Sequence, residues 1–122
     1  MDVIVVGPCG SGKTTLVAAL TKEGYRVRAV AQEHSAIPKL WHHGGEPAAL
    51  VVLSATPMII TARRRADFPV WLHEQQIARL ASAREHADLT IDTDRLTAQE
   101  VLTRVVGFLG SRGIKPQTQE GA

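Results

Sequence analysis

The sequence predicts an α/β protein with a central parallel sheet and helices on both of its faces. Three observations carry that prediction. The runs Val3-Ile4-Val5-Val6 and Ala49-Leu50-Val51-Val52-Leu53 are apolar at successive positions, as strands covered on both faces are. Segments with helical spacing lie between the apolar runs, so strand and helix alternate along the chain. A glycine-rich turn joins the first run to the first helix.

The first strand, residues 3–6, ends at Gly7. Residues 15–22 read as a helix with Leu16, Ala19 and Leu20 on one face, and Gly24 follows as a C-cap glycine. Residues 26–31 alternate and make a second strand. Residues 35–43 read as a short helix, interrupted by Pro38 and stopped by Gly44-Gly45. Residues 49–53 are the third strand. Thr56-Pro57 sets an N-cap threonine before a proline at the first helical position, opening a helix to about Arg65. A longer helix is expected over residues 70–86, with Ile77, Leu80, Ala81 and Arg84 on one stripe. Residues 89–92 form a short fourth strand. Thr97-Ala98-Gln99-Glu100 spells a capping box and opens a last helix that buries Val101, Leu102, Val105, Val106 and Leu109. Residues 1–112 are thus expected as one domain. Residues 113–122, polar and rich in Gly, Pro and Gln, are expected as a flexible tail.

With 122 residues the chain suits one domain whose core needs no disulfide, and its single cysteine, Cys9, excludes an internal one. A net charge of +2 argues against a nucleic-acid binder; the one basic cluster is Arg63-Arg64-Arg65. Asp2 stands where a signal peptide would be basic, and no apolar stretch approaches the ~20 residues of a membrane span. A cytoplasmic protein without membrane contact is the expectation.

The run Gly7-Pro8-Cys9-Gly10-Ser11-Gly12-Lys13-Thr14 matches the phosphate-binding P-loop pattern in full, between a strand and a helix. The glycines permit dihedrals and close approach that a Cβ blocks. Successive N–H groups and the positive end of the next helix then cradle a β-phosphate. Lys13 would bridge β- and γ-phosphate oxygens, and the Thr14 hydroxyl would ligate magnesium. The expected nucleotide site is therefore Gly7, Pro8, Cys9, Gly10, Ser11, Gly12, Lys13, Thr14 and Thr15, with ATP and Mg²⁺ as ligands. The competing view is a plain glycine-rich turn with an exposed lysine. Cys9 is expected to contribute its backbone, a redox-sensing role being the less favoured one.

With this loop, the run 48–53, the Arg63-Arg64-Arg65 cluster and the closing segment 87–94, the chain resembles the small P-loop kinases. These are the shikimate-kinase, gluconate-kinase and nucleoside-monophosphate-kinase group, and the resemblance covers roughly residues 1–109. It implies a three-layer α/β/α P-loop NTPase fold. The family's parallel sheet is ordered 2-3-1-4-5, so four strands imply 2-3-1-4. An arginine-bearing lid follows the third strand there. Arg63, Arg64 and Arg65 fall at that place, Arg63 as the charge-neutralising residue and Arg64 as a nucleotide contact. A solvated helix end is the other reading of these arginines. Arg79 and Arg84 are weaker candidates, better explained by snorkelling on a helix face. Asp94, Arg95 and Leu96 correspond to the loop that lies against the adenine base.

By the same resemblance Glu33 is the acid that holds hydrated magnesium and orients an acceptor hydroxyl, with His34 beside it. Ser54 stands where a Walker B aspartate is expected. Only residues 35–48 replace the family's acceptor-binding insertion, where Pro38, Leu40, Trp41, His42 and His43 are candidates for a shallow pocket. His34, His42 and His43 lack the spacing of a metal-ligand set. The expected function is a Mg-ATP-dependent phosphotransferase for a small acceptor, with Lys13, Glu33 and Arg63 as catalytic residues. The alternative is a nucleotide-binding module or reduced kinase relative without transfer activity, acting as a regulatory or interaction protein. A GTPase is disfavoured, since neither Asn-Lys-x-Asp nor Asp-x-x-Gly is present. Phe68 and Trp71, flanking Pro69, fit either a homodimer contact or burial under the lid.

Overall fold

Four β-branched residues in a row make the first strand, β1 (Val3–Val6), and all four are buried. A computed structural model of the chain describes residues 1–117. After β1 come α1 (Lys13–Lys22), β2 (Val27–Ala29), β3 (Ala49–Ser54), α2 (Pro57–Arg64), α3 (Val70–Arg79), α4 (Ala81–His86), β4 (Leu89–Asp92) and α5 (Ala98–Ser111). The four strands pair in parallel throughout, as the alternation of strands and helices requires.

Odd and even positions of β1 and β3 serve opposite faces, which is why both strands are apolar up to the terminal Ser54 of β3. Val3, Val5, Val51 and Leu53 pack with Leu16 and Leu20 of α1 and with Val101, Val105 and Leu109 of α5. Ile4, Val6, Leu50 and Val52 pack with Trp41, Leu80 and Ala83 on the other side. At about 25 cal/mol per Å² of apolar surface, these two layers supply the main driving force for folding. No helix among the described residues is long and apolar enough to cross a membrane.

The sheet order is β2-β1-β3-β4, which corrects the expected 2-3-1-4. Val27 lies opposite Val3, so β2 is the direct neighbour of β1, whereas β4 pairs with β3 through Leu53 and Ile91. The cause is the crossover. A single helix, α1, packs against both β1 and β2, and so returns the chain one position over. Arg28 and Ala29 are exposed, which suits an edge strand.

Two helix expectations also change. The segment 70–86 is broken at Leu80, whose φ of −91° and ψ of 0° end α3 and start α4 while its side chain is fully buried. The segment 35–43 holds no α-helix; short 3₁₀ turns stand at Gln32–His34 and Leu40–His42 instead. Buried Gln32 explains this locally. Its amide donates to Ile37 O at 2.7 Å and accepts from Trp41 N at 3.0 Å, satisfying backbone groups that a helix would have paired. Phe68 is buried with Ala55 and Ile60, whereas Trp71 is 65% exposed. Of the expected tail, Ile114 N donates to Leu109 O and Gln117 N to Gly24 O, both at 2.8 Å. Residues 118–122 of that tail lie outside the described residues.

The capping box of α5 forms as its sequence indicates: Glu100 N donates to Thr97 Oγ1, and Thr97 N donates to Glu100 Oε1. The backbone hydrogen bond from Thr97 first, then its side chain and the charge of Arg104, holds the Glu100 carboxyl below the usual range. A carboxylate depressed in the folded state stabilises above its unfolded value and loses that contribution as pH falls through the folded one. Thr97→Ala should cost about 1 kcal/mol in urea unfolding at neutral pH. The advantage of the wild type over Glu100→Gln should be present at neutral pH and shrink below about pH 4. A pH-independent difference would show that the charge contributes nothing.

Candidate functional site

Strand β1 runs directly into the glycine-rich loop, and the space around it explains the composition. A Cβ on Gly7 would stand 2.6 Å from Ser11 Oγ and 2.8 Å from Leu53 O. Gly10, at φ +77°, lies so close to α2 that a Cβ would stand 2.9 Å from Ile60 Cγ2. Both contacts are closer than side chains allow. Gly12, at φ +103°, turns the chain into α1, whose N-terminus has neither a side-chain cap nor an acidic residue in its first turn. That helix end carries a partial positive charge and presents N–H donors to an anion.

Lys13 folds back over the loop. Its ammonium donates to Gly7 O at 2.7 Å, to Pro8 O at 3.2 Å and to Glu33 Oε2 at 2.8 Å. Glu33 is 3% exposed, and its other oxygen, Oε1, is buried without a partner. It reaches Lys13 because it sits in the turn after β2, and β2 is the neighbour of β1. The corrected strand order is thus what unites the two residues. His34 lies next to this pair, with Nε2 3.6 Å from Glu33 Oε2 and 3.3 Å from Cys9 Sγ.

A second set of bonds holds the loop from the other side. Arg63 donates to Gly10 O at 3.0 Å, to Thr93 Oγ1 at 3.1 Å, and to Thr93 O. Buried Thr93 lies within 3.0 Å of both Ser11 O and Ser54 O through its hydroxyl, and its N–H donates to Ser54 O. Arg63 therefore braces the loop against the end of β4. Its neighbour Arg64 stacks on Phe68, 5.7 Å from the ring centroid. With Arg63, Lys13, Thr14 and Thr15, it lines a groove of about 330 Å³. Arg65 ends α2 at φ +54° and is exposed.

A separate cavity of about 200 Å³ opens between the loop and α5. Thr15, Leu16, Leu96 and Val101 give it apolar walls, and Arg63 and Thr93 supply polar groups at one end. Leu96 is the residue of the expected base loop that reaches it. Asp94 instead accepts from Thr56 N at 2.9 Å, at the start of α2.

Other candidates lie elsewhere. Trp41 is 4% exposed and belongs to the core, so it does not line a shallow acceptor pocket. His42 pairs with Glu46 at 3.0 Å. Arg79 donates to Glu33 O at 3.4 Å, whereas Arg84 lies with Ile77 and Glu85 on a surface shared by α3 and α4.

Two residues escaped sequence reasoning. Gln76 accepts from Cys9 N at 3.0 Å and donates from Nε2 to Cys9 Sγ at 3.3 Å. It is buried on the stripe of Leu80, one turn earlier, and a glutamine at such a position is the signal that was available. Thr93 is the other; a threonine just past a strand carries no comparable signal. No protein-family model matches the chain, and no curated protein matches it.

Arg63→Ala should release the brace. Amides of residues 8–12 should exchange hydrogen faster, and stability should fall by about 1.5 kcal/mol, the scale of a charged hydrogen bond. Unchanged exchange in that segment would show that the brace does not restrain the loop.

Proposed function

We propose that the chain binds a nucleoside triphosphate with Mg²⁺, and that the nucleotide is ATP. The observation that carries this reading is the uncapped N-terminus of α1, reached through the glycine loop, with Lys13 held over it by a buried carboxylate. An anion in the loop would meet N–H donors, the helix end and an ammonium together. The groove beside it, lined by Arg63 and Arg64, suits the charge of a triphosphate. The cavity at Leu16 and Leu96 suits the flat face of a base.

The residues present also fit magnesium. Glu33 Oε1 is a buried acceptor without a partner, and Thr14 is exposed on the groove. Thr14 would ligate the ion directly and Glu33 through water, and the ion would supply charge neutralisation at the phosphates. Lys13 binds and orients the phosphate chain, and the Arg63 and Arg64 side chains supply positive charge beside it.

Kinship with the small P-loop kinases is part of this reading, and with the observed sheet order it requires that one strand of the family's sheet be missing. Removing the second strand from a 2-3-1-4-5 sheet leaves 3-1-4-5, which has the form of β2-β1-β3-β4. On that alignment β2 stands for the family's third strand. Glu33, just after it, then takes the place of the acid that sequence reading sought at Ser54. The fold would accordingly be a three-layer P-loop NTPase shortened by one strand.

Two readings remain for what binding accomplishes. The first is phosphoryl transfer to a small acceptor, with Lys13 and Arg63 around the γ-phosphoryl group and Glu33 toward the acceptor hydroxyl. The second, a binding module without transfer, is favoured by a specific observation. The segment 35–48 is committed to structure, through the Gln32 bonds and buried Trp41, where an acceptor site would be needed.

Calorimetric titration should show Mg-ATP binding that weakens at least about tenfold in Lys13→Ala, as loss of charge-assisted hydrogen bonds predicts. The double variant Lys13→Ala/Glu33→Gln, which leaves no unpaired carboxylate, serves as the folded control. Equal affinity in wild type and both variants would overturn the nucleotide reading. With a panel of hydroxyl and monophosphate acceptors, ADP release faster with one acceptor than without any selects transfer. Binding with negligible, acceptor-independent turnover selects the module.

A further inference from the structure

Histidine spacing alone argued against a metal site, but the fold brings a different set together. Cys9 Sγ, His34 Nε2 and a Glu33 carboxylate oxygen all lie within 4.8 Å of one another. They come from the glycine loop and from the 3₁₀ turn after β2, which the pairing of β1 with β2 sets side by side. We propose that Cys9, Glu33 and His34 form a three-ligand site for a thiophilic divalent cation of the zinc class, its fourth position open to solvent. The site shares Glu33 with the magnesium position proposed beside Thr14, but Cys9 and His34 have no part in that position, and a titration without nucleotide tests the site by itself.

The donor set is what such an ion selects: one thiolate, one imidazole nitrogen and one carboxylate oxygen. Hard cations such as magnesium do not choose sulfur. Spacing is close to what the ion needs along two of the three edges. Zinc bonds of about 2.3 Å to sulfur and about 2.0–2.2 Å to nitrogen and oxygen imply tetrahedral edges of roughly 3.4–3.6 Å. Two edges are 3.3 Å, from Cys9 Sγ to His34 Nε2, and 3.6 Å, from His34 Nε2 to Glu33 Oε2; the third, from Cys9 Sγ to the Glu33 carboxylate, is within 4.8 Å.

The surroundings fit a ligand role. Gln76, 2% exposed, grips Cys9 twice, and its Nε2–H points at Sγ, where it would stabilise a thiolate. An orienting donor of this kind is what supports metal ligands from behind. Glu33 Oε1 is a buried oxygen with no partner, so the carboxylate has acceptor capacity beyond its bond to Lys13. His34 is exposed, which leaves an entry path from solvent. Lys13 is the one opposing feature. Its ammonium holds Glu33 Oε2 at 2.8 Å and would compete with a cation for that oxygen.

Titration of the full, tag-free, reduced chain with Co²⁺ tests the proposal. A 1:1 complex should form, with a near-ultraviolet thiolate-to-cobalt charge-transfer band and intense visible bands of tetrahedral cobalt, both lost when Zn²⁺ is added. Cys9→Ser should abolish the charge-transfer band. His34→Gln, a change at an exposed position, should weaken Co²⁺ binding at least about tenfold. His43→Gln should leave it unchanged. Cobalt bound without the charge-transfer band, or with equal affinity in Cys9→Ser, overturns the site. A band that requires two chains per ion overturns it too, because the sulfur would then be bridging molecules.

Discussion

The constraint on which the rest of the site depends is the buried carboxylate of Glu33. Removing an ionised carboxylate from water costs several kcal/mol, and the cost is offset only by a close, well-placed cation. Lys13 is that cation, at 2.8 Å with both side chains largely covered. The pair can form only if the turn after β2 lies beside the loop after β1, which requires β2 to be the neighbour of β1. The same adjacency gives Cys9 and His34 their contact. Deleting one partner would leave the other charge buried and unpaired, a loss of about 3–5 kcal/mol. Electrostatics at the site and topology of the sheet are therefore one requirement.

On the opposite flank the loop is held by hydrogen bonds rather than by charge pairing. Arg63 and Thr93 tie Gly10 O and Ser11 O to the end of β4. These bonds satisfy carbonyls that a tight glycine turn leaves without partners in a helix or a sheet. Within the loop Cys9 N is taken by Gln76 Oε1 and Ser11 N by Pro8 O, so an anion would rely chiefly on the N–H groups at the start of α1. The bracing residues come from α2 and from the end of β4, far apart in sequence, so the brace exists only where those elements are packed beside the loop.

How much of this the sequence revealed follows from the range of each interaction. The apolar runs of β1 and β3, the capping box at Thr97 and Glu100, and the loop 7–14 are local patterns, and each appears where the residues indicate. Sheet order is not local. It turns on whether a crossover helix spans one strand position or two, and residues 7–26 look alike in both cases. The break at Leu80 was hidden because a helical stripe continues through it; only tertiary packing bends the chain there. Gln32 shows a further limit. A polar residue after a strand reads as loop, yet its amide is what replaces a helix with two turns. That Arg63 lies beside the loop was legible, but its geometry was not, since an arginine near phosphates and one bonded to carbonyls have the same neighbours in sequence.

Lys13 bears on how the site would accept a ligand. Its ammonium already has three oxygen partners, Gly7 O, Pro8 O and Glu33 Oε2. A triphosphate therefore does not find an unsatisfied lysine; it must outcompete a carboxylate and two carbonyls. It can do so because several negative charges at the end of α1 also gain the N–H groups and the helix dipole, which Glu33 does not reach. Once Lys13 turns away, Glu33 is again a buried charge without a cation, and the cost of that state must be met by whatever binds. A phosphate chain that brings its own divalent ion restores the balance, whereas a bare anion leaves Glu33 unpaired. If the loop binds a phosphate chain as proposed, the buried carboxylate would favour an anion that arrives with a metal.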